Sequence, residues 1–167
     1  DEALHVRRDT NRPVALSDKG SYLVTGGTAG FTLSIADWLS QAGAGHLVLA
    51  SRSGRMDKAG ERLVRKFEAR GTKVSVQALD ITDSGAVDAF VRESLASDMP
   101  LRGVVHGAAV IKDGFANQLT PEMITEVLSP KIRGAWNLHR AFAANAFEPD
   151  FMIGFSSISQ VTGSAGQ

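Results

Sequence analysis

There is no cysteine among the 167 residues. A disulfide framework and a thiolate metal site are thereby excluded, no metal site of any kind is expected, and a reducing, cytoplasmic setting fits. Net charge is also missing, because 18 Lys and Arg balance 18 Asp and Glu. Nothing then draws the chain electrostatically to nucleic acid or an anionic membrane, and neither is expected as a partner. No apolar run approaches the ~18 residues that a membrane span needs, and no stretch has the layout of a signal peptide. Internal repeats and low-complexity tracts are absent too. Tyrosine is scarce: Tyr22 is the only one.

What remains is an ordinary globular composition, 43% apolar and 22% charged, at a length that suits one domain with a real core. Residues 1–20 are polar and irregular around Arg7, Arg8 and Arg12-Pro13, and read as a connector. From Ser21 the chain alternates. Short apolar runs at Tyr22–Thr25, His46–Ala50, Val74–Ala78, Gly103–His106 and Phe151–Phe155 predict strands covered on both faces. Helical spacing joins Ile35, Trp38, Leu39 and Ala42, then Leu63, Val64 and Phe67, then Val87, Phe90, Val91 and Leu95. A fourth helix opens at Ile124, Val127 and Leu128 and runs toward Phe142. Strand and helix in alternation imply parallel strands with right-handed crossovers, hence a doubly wound parallel α/β sheet of Rossmann type.

The first strand runs straight into Thr25-Gly-Gly-Thr-Ala-Gly-Phe31, and a helical pattern follows at once. Glycine lets the backbone turn tightly against a phosphate, and the next helix directs free N–H groups at it. Strand, turn and helix in this order point to a dinucleotide site at Thr25, Gly26, Gly27, Thr28, Gly30 and Phe31; a merely tight turn is the plainer alternative. The second strand ends in Ser51-Arg52-Ser53. An acid there would bind the ribose hydroxyls of NAD, whereas Arg52 between two serines suits a 2′-phosphate and so NADPH. A solvated loop charge is the other possibility. After the third strand, Asp80 of the Asp80-Ile81 pair can accept from an adenine amino group, while Thr82 or Asp83 caps the next helix. His106-Gly107-Ala108 offers small residues where a nicotinamide would pass, and His106 alone reads better as a satisfied strand-end histidine than as a catalytic one.

Taken in order, Thr25-Gly-Gly-Thr-Ala-Gly30, Leu49-Ala-Ser-Arg-Ser-Gly54, Leu79-Asp-Ile-Thr-Asp83, His106-Gly-Ala-Ala109, Pro130-Lys-Ile-Arg-Gly-Ala-Trp-Asn-Leu-His139 and Phe155-Ser-Ser157 resemble the ketoreductase domain of a modular polyketide synthase, a short-chain dehydrogenase/reductase. The resemblance runs from Tyr22 to Gln167, and residues 1–20 resemble the tail of the preceding structural subdomain. It implies reduction of a β-ketone on an acyl chain tethered by phosphopantetheine to an acyl carrier protein, with hydride from NADPH and a proton from a tyrosine. By motif it makes Ser157 the catalytic serine and Lys131 the catalytic lysine. Serine would polarise the carbonyl, and a nearby ammonium would lower the tyrosine pKa. By residue type alone, Ser157 could equally be a turn or cap serine and Lys131 a solvated charge. Asp113, closing Ile111-Lys112-Asp113, matches the acid that marks one hydroxyl configuration (the B-type), and Thr162 stands where the other class has tryptophan.

The chain departs from that pattern in places. Ala29 and Thr32 replace glycines in the turn, and Ala109 replaces the glycine after His106-Gly-Ala. Thr32 should crowd the first helical turn unless its hydroxyl reaches a phosphate. The pattern's tyrosine would fall beyond Gln167, and Tyr22 lies at the wrong end of the first strand for chemistry. The sheet is accordingly expected to be incomplete on its C-terminal side, with a bare edge on the fifth strand. These residues alone are expected neither to reduce ketones nor to fold stably without the remaining segment of the domain and its neighbours in the synthase. Two further readings stand beside this one: a non-catalytic nucleotide-fold module of a synthase, and a free-standing short-chain dehydrogenase acting on a small metabolite.

Overall fold

The computed structural model describes residues 16–163. The connector at residues 1–15 and the residues after 163 lie outside that range. Five strands, β1 (Ser21–Thr25), β2 (His46–Ser51), β3 (Lys73–Ala78), β4 (Leu101–His106) and β5 (Phe151–Gly154), form one sheet in the order β3-β2-β1-β4-β5. Every pairing is parallel. This is the doubly wound, Rossmann-type arrangement that the alternating pattern demands.

Alternate residues of a strand face opposite sides, and the core divides accordingly. Tyr22, Val24, Leu47 and Leu49 pack under α1 (Phe31–Gln41) and α2 (Lys58–Ala69), which contribute Leu33, Leu39 and Phe67. Leu23, Val48 and Val104 pack under α3 (Ser84–Leu95) and α5 (Gly134–Ala144) with Phe90, Val91, Leu138 and Phe142. Coverage on both faces holds for β1, β2 and β4. The outer strands differ: β3 is exposed along most of its length, and β5 exposes Met152 and Ile153. Among the described residues β5 pairs only with β4.

The fourth predicted helix is three pieces. α4 (Pro121–Leu128) ends, a π-helical turn covers Ser129–Arg133, and α5 begins at Gly134. Pro130 has no N–H to continue the ladder and its ring opposes a regular turn, so the hydrogen bonding widens there. A short helix, α6 (Ser159–Thr162), follows β5. No described helix is long and apolar enough to cross a membrane.

Candidate active site

Chain direction reverses about β1: the path moves outward to β2 and β3, then returns to place β4 and β5 on the other side. At such a switch point the loops beyond the carboxyl ends of the strands part and leave a crevice.

The turn after β1 is built to approach β4 closely. Gly26 has φ +69°, and a Cβ there would stand 2.8 Å from the Gly107 carbonyl oxygen and 3.0 Å from the Ala108 backbone. Gly27 lies against Val24, and its N–H donates to the Ala50 carbonyl at 3.2 Å, tying the turn to the end of β2. Gly30 opens α1 at φ 64°, ψ −146°, a region essentially reserved for glycine. It provides no side-chain cap, whereas Asp57, Asp83 and Thr120 cap α2, α3 and α4. The first turn of α1 thus has no side-chain cap for its N–H groups. Thr32 does not reach outward. It is buried, and its hydroxyl faces the carbonyl oxygens of Gly26 and, at 2.9 Å, Ala29. The crowding expected of a β-branched residue is resolved inward: the hydroxyl fastens the turn and is not left to meet a phosphate.

At the end of β4, Thr25 Oγ lies 2.8 Å from His106 Nδ1 and accepts the Ala108 N–H at 3.3 Å. His106 Nε2 is 3.0 Å from the Pro130 carbonyl oxygen. A carbonyl only accepts, so Nε2 carries the proton and Nδ1 receives the Thr25 hydroxyl. Burial holds the His106 pKa below the ordinary histidine range, opposed by hydrogen bonding to the Pro130 and Lys131 carbonyls. Both ring nitrogens of His106 thus have partners, as expected of a satisfied histidine at a strand end.

Two adjoining cavities occupy the crevice. The first, of about 390 Å³, is lined by Thr25, Gly26 and Thr28 from the turn, Ser51, Arg52 and Ser53 after β2, Asp80 and Ile81 after β3, and Ala108. Asp80 Oδ1 accepts the Thr82 N–H at 2.9 Å and the Thr82 hydroxyl at 2.7 Å. Those two bonds, with a smaller contribution from Arg52, hold its carboxyl below the usual range. Asp83, not Thr82, caps α3. The second cavity, of about 530 Å³, is lined by His106, Gly107, Ala108, Lys131 and Ser157, among others. Ala108 and Ala109 border both. Lys131 comes from the π-helical turn and Ser157 from the loop after β5, so two distant segments converge on one space. Ser157 Oγ accepts the Ser159 N–H at 3.2 Å, a turn-serine role that leaves its own O–H available to donate.

Of the other predicted site residues, Gly27, Gly30, Phe31 and Asp113 line neither cavity. Phe31 instead meets Phe155 edge-on at 5.2 Å. Asp113 is exposed on the loop after β4. Tyr22 is buried at the opposite end of the sheet's chemistry, its ring stacked on Phe151 at 5.8 Å. Sequence reasoning missed Ser129, Pro130 and Glu126 as lining of the first cavity. The Ser-Pro pair inside a helical pattern was the signal that could have found the break.

The family model described as the KR domain matches residues 20–167. The chain belongs to the KR (ketoreductase) domain family. Among curated relatives, this KR segment is 39% identical over 168 residues to the lovastatin diketide synthase lovF of Aspergillus terreus, covering 100% of this chain and 6% of that protein. It is 41% identical over 148 residues to a mycocerosic acid synthase-like polyketide synthase of Mycobacterium tuberculosis, covering 89% of this chain and 7% of that one. Among solved structures, A-type ketoreductases from a modular polyketide synthase match with TM-score 0.82 and 36% identity, over 94% of this chain and 32% of theirs. A ketoreductase domain from the bacillaene assembly line matches with TM-score 0.81 and 31% identity, over 93% of this chain and 37% of that one. The KR segment therefore spans a small part of the synthases it resembles and about a third of the solved ketoreductase chains.

Proposed function

We propose that this chain is the NADPH-binding part of a ketoreductase domain in a cytoplasmic polyketide synthase, where it takes part in reducing a β-ketoacyl group on an acyl carrier protein to a β-hydroxyacyl group. The observation that carries this is the convergence of Lys131 and Ser157 on the cavity that shares Ala108 and Ala109 with the cleft beyond β1, β2 and β3.

The first cleft fits the dinucleotide on three counts. A Cβ at Gly26 would fill the place where β1 and β4 close together. Side-chain capping is missing at α1 alone of the four helices that follow β1, β2, β3 and the loop after β4. Arg52 stands exposed at the rim in no salt bridge among the described residues, free to meet a 2′-phosphate. Thr25, Gly26 and Thr28 would hold the pyrophosphate side, Arg52 with Ser51 and Ser53 the adenosine phosphate, and Asp80 with Ile81 the adenine. Bound NADPH would supply the hydride. The chain's own part is electrostatic and positional. Ser157 O–H donates to the ketone oxygen and stabilises the charge that develops there. Lys131 places a cation beside the same oxygen and beside the proton-donating tyrosine that the family resemblance puts outside these residues. Ala108 and Ala109, which line both cavities, carry no side chain large enough to block a nicotinamide.

The test is NADPH oxidation by the full-length protein with a β-ketoacyl thioester. Lys131→Ala and Ser157→Ala should each lower kcat by about 10²-fold or more, as loss of a positioned acid–base or oxyanion partner does. Undiminished turnover in both variants would overturn the assignment. A saturable NADPH signal with no turnover by the wild-type protein would instead favour the non-catalytic module.

A further inference from the structure

We infer that His106 is a positioning residue for Lys131, acting through the π-helical turn. The inference rests on the proposed role of Lys131 and adds what sets the place of that lysine. In a regular helix the Pro130 carbonyl would receive the N–H of Gly134. Here the Gly134 N–H goes to the carbonyls of Ser129 and Lys131 instead. The Pro130 oxygen takes the proton of His106 Nε2 at 3.0 Å.

The ring itself is fixed from behind. Its Nδ1 receives the Thr25 hydroxyl at 2.8 Å, and that hydroxyl is in turn held by the Ala108 N–H. Gly134 permits the approach, since a Cβ there would lie 3.1 Å from His106 Cε1 and 2.8 Å from Ile81 Cγ2. On the far side Asn137 clamps α5 by donating to the Ile81 carbonyl at 3.0 Å. The ends of β1 and β4 are thereby wired to the backbone of Pro130, the neighbour of Lys131, which lines the second cavity. The bond from His106 Nε2 to the Pro130 carbonyl joins the end of β4 to the irregular turn.

The two amide substitutions separate the halves of this arrangement. In His106→Gln the side-chain N–H falls near the position of Nε2 and keeps the bond to Pro130. In His106→Asn the amide reaches only the Thr25 side, and the Pro130 carbonyl loses its partner. Both would be made in the full-length protein, alone and combined with Lys131→Ala.

His106→Asn should lower kcat by about ten- to a hundredfold, the range expected when a catalytic group is misplaced by about 1 Å, with the Kd for NADPH within about twofold of wild type. His106→Gln should retain most of the rate. The decisive combination is His106→Asn with Lys131→Ala, which should be no slower than Lys131→Ala alone, because a residue that acts through another adds nothing once that other is gone. Hydrogen exchange in the free protein gives a readout independent of turnover: amides of residues 131–135 should exchange faster in His106→Asn and unchanged in His106→Gln. Multiplicative losses in the double variant, or equal exchange in both single variants, would overturn the inference while leaving the site assignment standing. Full activity in Lys131→Ala would overturn the site assignment and the inference together. If His106→Asn does not fold, His106→Gln still decides: retained rate and exchange support the contact, and their loss refutes it.

Discussion

The turn after β1 offers a substitution whose cost can be worked out in advance. Gly26→Ala adds one methyl group to a residue at φ +69°, with the Gly107 carbonyl oxygen 2.8 Å away and the Ala108 backbone at 3.0 Å. Left-handed backbone costs an L-residue about 1–2 kcal/mol by itself. The contacts are with backbone, which cannot swing aside, so the ends of β1 and β4 must part; overpacking of this kind adds about 1–3 kcal/mol. Gly43→Ala isolates the first contribution, because Gly43 sits at φ +92° with nothing within 4 Å. The expected losses are about 2–5 kcal/mol for Gly26→Ala and about 1–2 kcal/mol for Gly43→Ala. Hydrogen exchange of β1 and β4 amides in the full-length protein reads the local opening free energy of both variants. A parallel NADPH titration should show at least tenfold weaker binding for Gly26→Ala, roughly the ~1.4 kcal/mol that a tenfold change represents, and unchanged binding for Gly43→Ala. Equal destabilisation by the two alanines, or wild-type affinity in Gly26→Ala, would refute the claim that close approach of the strands shapes the cleft.

Other outcomes follow from single contacts. Arg52→Ala should narrow the preference for NADPH over NADH by about ten- to a hundredfold, the worth of a charged hydrogen bond of about 1.5–3 kcal/mol, measured as the ratio of the two Kd values. Thr32→Gly, which restores the glycine of the family pattern, should destabilise the protein by about 1–2 kcal/mol, because it removes the hydroxyl bonded to the turn and adds a flexible residue to α1; a more stable variant would contradict this. Asp83→Ala should cost about 1 kcal/mol through loss of the bonds to the Gly85 and Ala86 N–H groups, seen as faster exchange in the first turn of α3. Burial lowers the pKa of both His46 and His106. Below about pH 6.5 the unfolded chain therefore binds more protons than the folded one, and stability should be full above that pH and fall as the pH drops. Removing the His106 contribution in His106→Gln should flatten that fall.

The strands and most helices were legible because their apolar spacing is dictated by the sheet they build. The runs at Tyr22–Thr25 and Gly103–His106 sit at the centre, where both faces are covered and the sequence has little freedom. At β3 the same kind of run lies at an edge of the sheet among the described residues and is exposed, a distinction that depends on strand order and not on local composition. The break at Pro130 went unread because Ile124, Leu128, Ile132 and Trp136 keep helical spacing straight through it; these four are exposed and record no buried face. The cleft residues Thr25, Gly26, Arg52 and Asp80 were visible as strand-end motifs. What local sequence could not express is the link between His106 and Pro130, which spans two elements, or the inward turn of the Thr32 hydroxyl.

A crystal structure of the full-length protein with NADPH bound would test the central claim most directly. It should show the pyrophosphate against the backbone at Gly26 to Thr28, the 2′-phosphate on Arg52, and the nicotinamide beside Ala108 with Lys131 and Ser157 across the second cavity. A dinucleotide seated anywhere else, or a nicotinamide facing away from Lys131 and Ser157, would contradict it.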